Sequence, residues 1–477
     1  RSIPENEWTE EDHKVDKDRF LEFWKSKVIP DVEQLIKDNS DITALVPLFT
    51  DNGQDLRNIK NFDIFKQSIP ETATFSDAID IFDKINSQGV HLSNGDLALT
   101  HITAKWPDAR RKMKEFRKAL SSKNFDFNLT FMTRLLILAS CGRASLSSLS
   151  ALSYEPIREL SEVQLSLAWN TCESVFTYLI DVLCGEKITN SEFIRSKNVL
   201  LPLFYYVLKN DGSFETEKQR KLAIYWFHNS LIWGRYAGSS DQKLEEDIQI
   251  IKTFSENVWS ELLGKIVDQR GRLKIEPSDL EGQGSDGRLF NTFHVMLKHH
   301  GAQDWVTGVS LDSPENSGFS TDRHHIFPKS LLNTAGYSDQ NKIQKALINE
   351  ISNIAIITNV TNKKISDKSP SHYLPKIRDK YPSALKNQLI PDRPDLWETD
   401  KYLNFLIARR ELIAENVNSF LETYRTDDVA DTSEPNVETL CTMLESELLE
   451  FKETFQFDVR KSIEEEKDIK KIRRQLC

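Results

Sequence analysis

A mainly α-helical, multidomain chain is the fold class the sequence predicts, a helical bundle in its middle and one short strand-bearing stretch after it, and three observations carry it. Glycine (17) and proline (16) are sparse in 477 residues, so little interrupts a helix. Apolar residues recur at intervals of three and four along most of the chain. Only Ile354–Val360 has the β-branched run of a strand. The length exceeds what one core organises, which predicts roughly two to four domains.

From the N-terminus, Phe20, Phe23, Trp24, Val28 and Ile29 are spaced for a helix that continues through Asp31–Leu35 toward Asn39, and a second covers Thr74–Asn86. Asn86-Ser-Gln-Gly89 supplies a turn, and Ser93 is placed to cap the next helix with its hydroxyl. From Asn128 to about Leu263 the pattern predicts helices at Phe131–Ala139, Ser161–Leu183, Val199–Leu208, Glu217–Trp233 and Lys243–Phe254. Trp169, Phe204, Tyr205, Tyr206, Trp226, Phe227 and Trp233 belong in the core of that bundle, not on a base-stacking platform. Polar, Gly-containing segments at Glu281–Gly287 and Leu311–Thr321 precede a change of style. There His324-His325 opens a short strand through Phe327 that Pro328 ends. A helix near Gln340–Asn349 and the strand Ile354–Val360 follow, and helices resume after Asn362 and run through Lys401–Tyr424. Thr426–Val437 is acidic and aperiodic, hence a linker; beyond it Leu440–Leu449 is amphipathic and Ser462–Leu476 highly charged.

Lys+Arg number 62 against 73 Asp+Glu, a net charge of −11. That balance excludes a chain that coats nucleic acid with uniform positive charge but leaves room for a local basic cleft. No apolar run approaches the roughly 20 residues that span a bilayer; the longest, Val199–Leu208, contains Pro202. The five cysteines (Cys141, Cys172, Cys184, Cys441, Cys477) lack CxxC spacing, which argues against a disulfide framework or a cysteine zinc site and predicts a cytoplasmic protein. The opening Arg-Ser-Ile-Pro, without Met, predicts a piece of a longer or processed chain.

The chemistry-bearing residues cluster late. Phosphodiester hydrolysis needs a divalent cation to polarise the phosphoryl group and a base for the attacking water. A histidine and an amide oxygen can hold the cation, and a second histidine can serve as base near neutral pH. Adjacent residues on a strand face opposite ways, so His324 and His325 suit two different roles. A histidine pair alone is more often a surface feature; here Asn353 and Asn362 stand downstream across one strand-and-helix unit. His299-His300, at a helix end, and His372 receive no function.

The runs His324-His325-Ile-Phe-Pro-Lys-Ser, Ser352-Asn353-Ile-Ala-Ile-Ile-Thr and Thr361-Asn362-Lys-Lys, with Pro-Ser-His-Tyr373 following, resemble the C-terminal HNH nuclease domain of GmrSD-type restriction endonucleases. The resemblance implies a ββα-metal fold with His325 as general base, His324 and Asn362 as metal ligands, and Asn353 orienting the base or its loop. Many such sites carry Asp where His324 stands. The expected cation is Mg²⁺ or Mn²⁺, with Zn²⁺ or Ni²⁺ as alternatives, because imidazole suits Mn²⁺, Zn²⁺ or Ni²⁺ better than Mg²⁺. Lys363, Lys364 and Lys368, continued by Lys376, Arg378 and Lys380, are either a solvated helix face or a DNA-binding strip.

Thr74–Leu97 is similar to the end of the ParB-like N-terminal module of the same family, but its Asp-Gly-Gln-Gln-Arg nucleotide motif is missing, so an NTP enters only through a motif upstream of Arg1. Asn86 and Gly89 are read as turn residues. Glu445-Ser-Glu-Leu-Leu-Glu-Phe-Lys452 resembles the start of a Schlafen/AlbA-type domain. The expected organisation is therefore a ParB-like remnant over 1–110, a helical domain over 111–300, an HNH nuclease domain with flanking helices over 301–425, a linker over 426–438, and a truncated Schlafen/AlbA-like start or interaction helix over 439–477. The expected activity is metal-dependent endonuclease cleavage of DNA phosphodiester bonds, in modification-dependent restriction or anti-phage defence, with no membrane partner. The alternative is a DNA-sensing or regulatory protein of that family whose site no longer cuts.

Overall fold

The computed structural model describes residues 93–144, 146, 159–238, 240–253, 257–312 and 318–425. The helices expected near Phe20–Asn39 and Thr74–Asn86, the turn at Asn86–Gly89, the linker, the segment after it, and Cys441 and Cys477 lie outside the described residues.

Helices make up most of what is described. Helix α1 (Asn94–Lys105) begins at Ser93, as its capping chemistry predicts: the hydroxyl accepts the Asp96 N–H at 3.3 Å, and the Asp96 carboxylate accepts the Ser93 N–H at 3.3 Å. Helices α2 (Ala109–Ser121) and α3 (Leu129–Cys141) follow, and Gly142, at φ +64°, ends α3 in the left-handed region. Then come α4 (Glu162–Gly185), α5 (Leu200–Lys209), α6 (Glu217–Ile232), α7 (Ser240–Thr253), α8 (Val258–Arg270) and α9 (Phe290–His299). Pro202 falls in the first turn of α5, where its missing N–H costs nothing. The seven aromatics assigned to the core are all buried, packed with the apolar faces of α1–α9. Among the described residues no helix is long and apolar enough to cross a membrane.

Past α9 the chain forms an antiparallel pair, β1 (Thr321–His325) and β2 (Ile354–Thr358), in the register Thr321↔Thr358 to His325↔Ile354. Between them lie the short helices α10 (Lys329–Thr334) and α11 (Lys342–Ile348). The histidine pair closes β1 instead of opening a strand. The ladder stops there because Asn353 sits in a 3₁₀ turn and takes the next N–H groups itself: its carbonyl accepts from Ile326 at 2.8 Å and its side chain from Phe327 at 2.8 Å. Helix α12 (Asn359–Ile365) leaves β2 directly; α13 (Pro370–Lys380), α14 (Pro382–Asn387) and the long α15 (Tyr402–Glu422) are the last helices among the described residues.

A two-stranded ribbon is marginal by itself, and β2 is built into its surroundings on every side. Ile354 and Ile356 face the large helical core, while Ala355 and Ile357 face a second core around Trp305, Phe327, Leu374, Trp397 and Phe405. The backbone groups that β2 does not spend on β1 are met by side chains. Gln388 accepts from Ile356 N–H at 2.9 Å and donates to its C=O at 2.6 Å. Arg409, fully buried, donates to the carbonyls of Ile354, Ser352, Leu389 and Gln388. Helix α15 joins both cores, Tyr402, Phe405 and Leu406 in the smaller and Ile413, Val417 and Phe420 in the larger, so the ββα unit is held on the helical body.

Candidate active site

The site is assembled where β1 faces α12. Thr358 caps α12 with its hydroxyl, and the buried Asp304 fixes the junction, accepting the Thr358 N–H and the Thr361 hydroxyl, each at 2.6 Å. These bonds hold the Asp304 carboxyl below its usual range although burial opposes its charge. With the first turn of α12 set, Asn362 projects onto β1, its Oδ1 lying 2.8 Å from Nδ1 of the buried His324.

Asn362 Nδ2 donates to Asp322 Oδ2 at 3.0 Å, which settles the amide orientation and leaves Oδ1 facing the histidine. Asp322 stands two residues before His324 and so shares its strand face. A carboxylate is thus present beside the amide, two positions upstream of where the family pattern places it. Its signal was available in the period-two alternation of the strand. On the other side of the ring, His324 Nε2 lies 3.4 Å from the Tyr373 hydroxyl, which donates to the Ile326 carbonyl at 2.8 Å. Burial brings the His324 pKa down to about 4 against the opposing Asn362 bond, so the imidazole is neutral, the form that ligates.

His325 turns to the opposite face. Its Nε2 lies 3.2 Å from Asn349 Oδ1, and Asn349 Nδ2 donates to the Lys345 carbonyl at 2.7 Å, so the amide presents its oxygen. Nε2 then carries the proton and Nδ1 the lone pair, as a base requires. Burial lowers the His325 pKa, with Asn349 opposing. Asn353 meets none of the three; its carboxamide is spent on the backbone of Phe327 and on the Ile348 carbonyl. The structure therefore brings His324 and Asn362 together, sets His325 apart with Asn349, and gives Asn353 to the loop that joins them. No sequence signal marked Asn349.

A divalent ion fits the first group. Two cis ligands of an octahedral ion, each about 2.1 Å from it, lie about 3 Å apart, close to the observed His324–Asn362 separation. Among the described residues no three His, Cys, Asp or Glu side chains converge as a closed metal cage. An imidazole, an amide and one carboxylate suit an ion that keeps several waters, as Mg²⁺ does, better than a closed zinc site.

The lysine strip divides. Lys364, Lys368, Lys376 and Lys380 line one cleft of ≈ 210 Å³ with Trp305, His372 and Tyr373, and no carboxylate lines it. Tyr373 links its floor to His324. Lys363 is not part of the lining, and Arg378 is turned to Asp392 at 3.3 Å and to the face of Trp397. His372, without a role in the motif, shares a 2.9 Å hydrogen bond with Lys376 Nζ.

No family model matches the chain. Over 380 residues, 72% of its length, the chain is 25% identical to an uncharacterized protein of Methanocaldococcus jannaschii. It covers 59% of that relative, less than two thirds of its length.

Proposed function

We propose that the chain is a metal-dependent endonuclease of HNH type that hydrolyses DNA phosphodiester bonds in restriction or anti-phage defence. The observation that carries the reading is the meeting of His324 Nδ1 and Asn362 Oδ1 at 2.8 Å across a β-β-α junction, with Asp322 on the same amide. A bound Mg²⁺ or Mn²⁺ supplies charge stabilisation at the scissile phosphate. His324, Asn362 and Asp322 would hold that ion, and His325, on the neighbouring strand position with its Nε2–H held by Asn349, would take the proton of the attacking water at Nδ1. The lysines of the adjacent cleft bind the strand through its phosphates. Nicking of supercoiled plasmid tests this, with Mg²⁺, Mn²⁺ or EDTA, for wild type, His325→Ala and Asn362→Ala. Cutting is expected only with the cation and only in wild type; undiminished cutting by His325→Ala overturns the assignment.

A second reading, a DNA-sensing protein that does not cut, is favoured by His324 standing where many HNH sites carry Asp and by the net charge of −11. Calorimetric titration with Mn²⁺ separates the two, since the sensing protein takes up no ion that depends on Asn362.

A further inference from the structure

We propose that the cleft between α9 and the leading half of β1 is a nucleoside pocket, which holds the base and sugar of the nucleotide next to the scissile phosphate. The proposal rests on the nuclease reading for the identity of that phosphate.

The cleft measures ≈ 650 Å³, within the roughly 300–1,000 Å³ of small-molecule sites. One residue is common to the cleft and the candidate centre: Asp322 lines the cleft and accepts from Asn362 Nδ2. Through that shared residue the cleft is assigned the nucleoside that adjoins a phosphate held at Asn362.

The lining suits a base more than a second phosphate. Lys298 and Arg323 are balanced by Glu192 and Asp322, which leaves no net positive charge to attract an anion. Both cations lie over aromatic faces, Lys298 at 4.8 Å from the Phe193 ring centre and Arg323 at 4.9 Å from that of Phe290. Arginine guanidinium groups are among the surfaces on which unstacked bases stack, and Arg323 brings one to this lining. Two amides supply complementary edges. Asn190 Oδ1 accepts the Glu192 N–H at 2.9 Å, which leaves Nδ2 as donor; Asn291 Nδ2 donates to the Glu192 carbonyl at 2.9 Å, which leaves Oδ1 as acceptor. A donor beside an acceptor is the pattern a base edge reads. His294 completes the wall, its ring 4.9 Å from that of Phe193 and its Nε2 shielded from solvent without a partner. Burial, with Lys298 and Arg323 adding repulsion, keeps this imidazole uncharged, so it adds a ring to the wall and no positive charge.

Saturation-transfer NMR on the full chain, with deoxyadenosine, deoxycytidine, deoxyguanosine and thymidine as separate probes, tests the assignment. Saturation is expected to reach base and sugar protons of at least one nucleoside, and inorganic phosphate is expected not to displace it. Asn291→Leu and Arg323→Gln are expected to weaken binding about tenfold, the loss of one well-made polar contact. Arg323 is half exposed, so its variant keeps the test readable if Asn291→Leu fails to fold. No transfer to base protons in wild type, full displacement by phosphate, or unchanged binding in folded variants overturns the proposal. Plasmid nicking reports on the nuclease separately: nucleoside binding without cutting sinks the nuclease and keeps the pocket, and cutting without nucleoside binding does the reverse.

Discussion

Asn353 grips Phe327 at both of its backbone groups, accepting the N–H at 2.8 Å and donating to the C=O at 3.1 Å, and spends its remaining donor on the Ile348 carbonyl at 2.9 Å. His325 lies two residues before Phe327 and Asn349 directly follows Ile348. One carboxamide thus fixes the two backbone segments that bring His325 Nε2 to Asn349 Oδ1. Asn353→Ala removes three buried hydrogen bonds and orphans their partners, at a cost of about 3–5 kcal/mol. Urea unfolding measures it, and a change under about 1 kcal/mol would show that Asn353 is not the clamp.

Gln388 stands in for a third strand. Its amide occupies both backbone groups of Ile356, which are otherwise an exposed sheet edge turned into the protein interior. Gln388→Leu keeps the volume and leaves a buried N–H and C=O unpaired, a loss of about 2–4 kcal/mol. Hydrogen exchange gives the local readout. The Ile356 amide is expected to lose protection ahead of the amides of α6, and equal protection in the variant counts against the edge-capping role.

Asp322 has its own prediction. If it completes the cation site, Asp322→Ala lowers Mn²⁺ affinity by roughly 10- to 100-fold, the range for a partner that orients a ligand. The fold is expected to survive, because the lost bond to Asn362 Nδ2 is only partly buried. Calorimetry reads the affinity, and equal Mn²⁺ binding by variant and wild type removes Asp322 from the site.

The four lysines of the cleft beside Tyr373 are expected to act as phosphate contacts. Lys364→Ala or Lys376→Ala weakens DNA binding to a similar degree whatever the sequence and reduces the slope of log affinity against log salt by about 1 for each lysine removed. Lys363→Ala, outside the lining, serves as the control. Fluorescence anisotropy at several salt concentrations gives the slopes. A slope that falls as much for Lys363→Ala as for Lys364→Ala contradicts a groove-specific track.

What was legible in the sequence follows from how local each signal is. Ser93, Ser161 and Thr216 cap helices with chemistry contained within three residues, so those boundaries were readable. The β-branched run of β2 was readable for the same reason. The end of β1 was not, because it is set by Asn353, 28 positions after His325 in sequence, competing for the next two N–H groups. The meeting of His324 with Asn362 was expected from the resemblance to HNH nucleases. Asp322 needed only the strand alternation, whereas Asn349 reaches His325 through the packing of α11, which no periodicity encodes. Asp304, Gln388 and Arg409 were equally hidden, since each acts on backbone far from it in the chain.

His228 gives the fold a pH dependence independent of the candidate site. It is buried against Phe420 and Tyr424, with Nδ1 3.2 Å from the Thr292 hydroxyl, and burial, with His299 adding to it, brings its pKa down to about 3. Also facing it through Tyr424 are Glu186 and, paired to Glu186, Arg220. In the unfolded chain an imidazole titrates near 6.5, as a rough reference value. Between the two values the unfolded state binds a proton that the native state does not, so stability rises with pH across that window. The contribution is complete above about pH 6.5 and is lost progressively as the pH falls toward 3, by about 1.4 kcal/mol for each unit. His228→Phe fills the same apolar surroundings and cannot titrate. Between about pH 6.5 and pH 5 wild type is expected to lose about 2 kcal/mol more than the variant, read from urea midpoints at each pH. If the two stability curves run parallel through this range, the native imidazole is charged or exposed, and the buried neutral assignment fails.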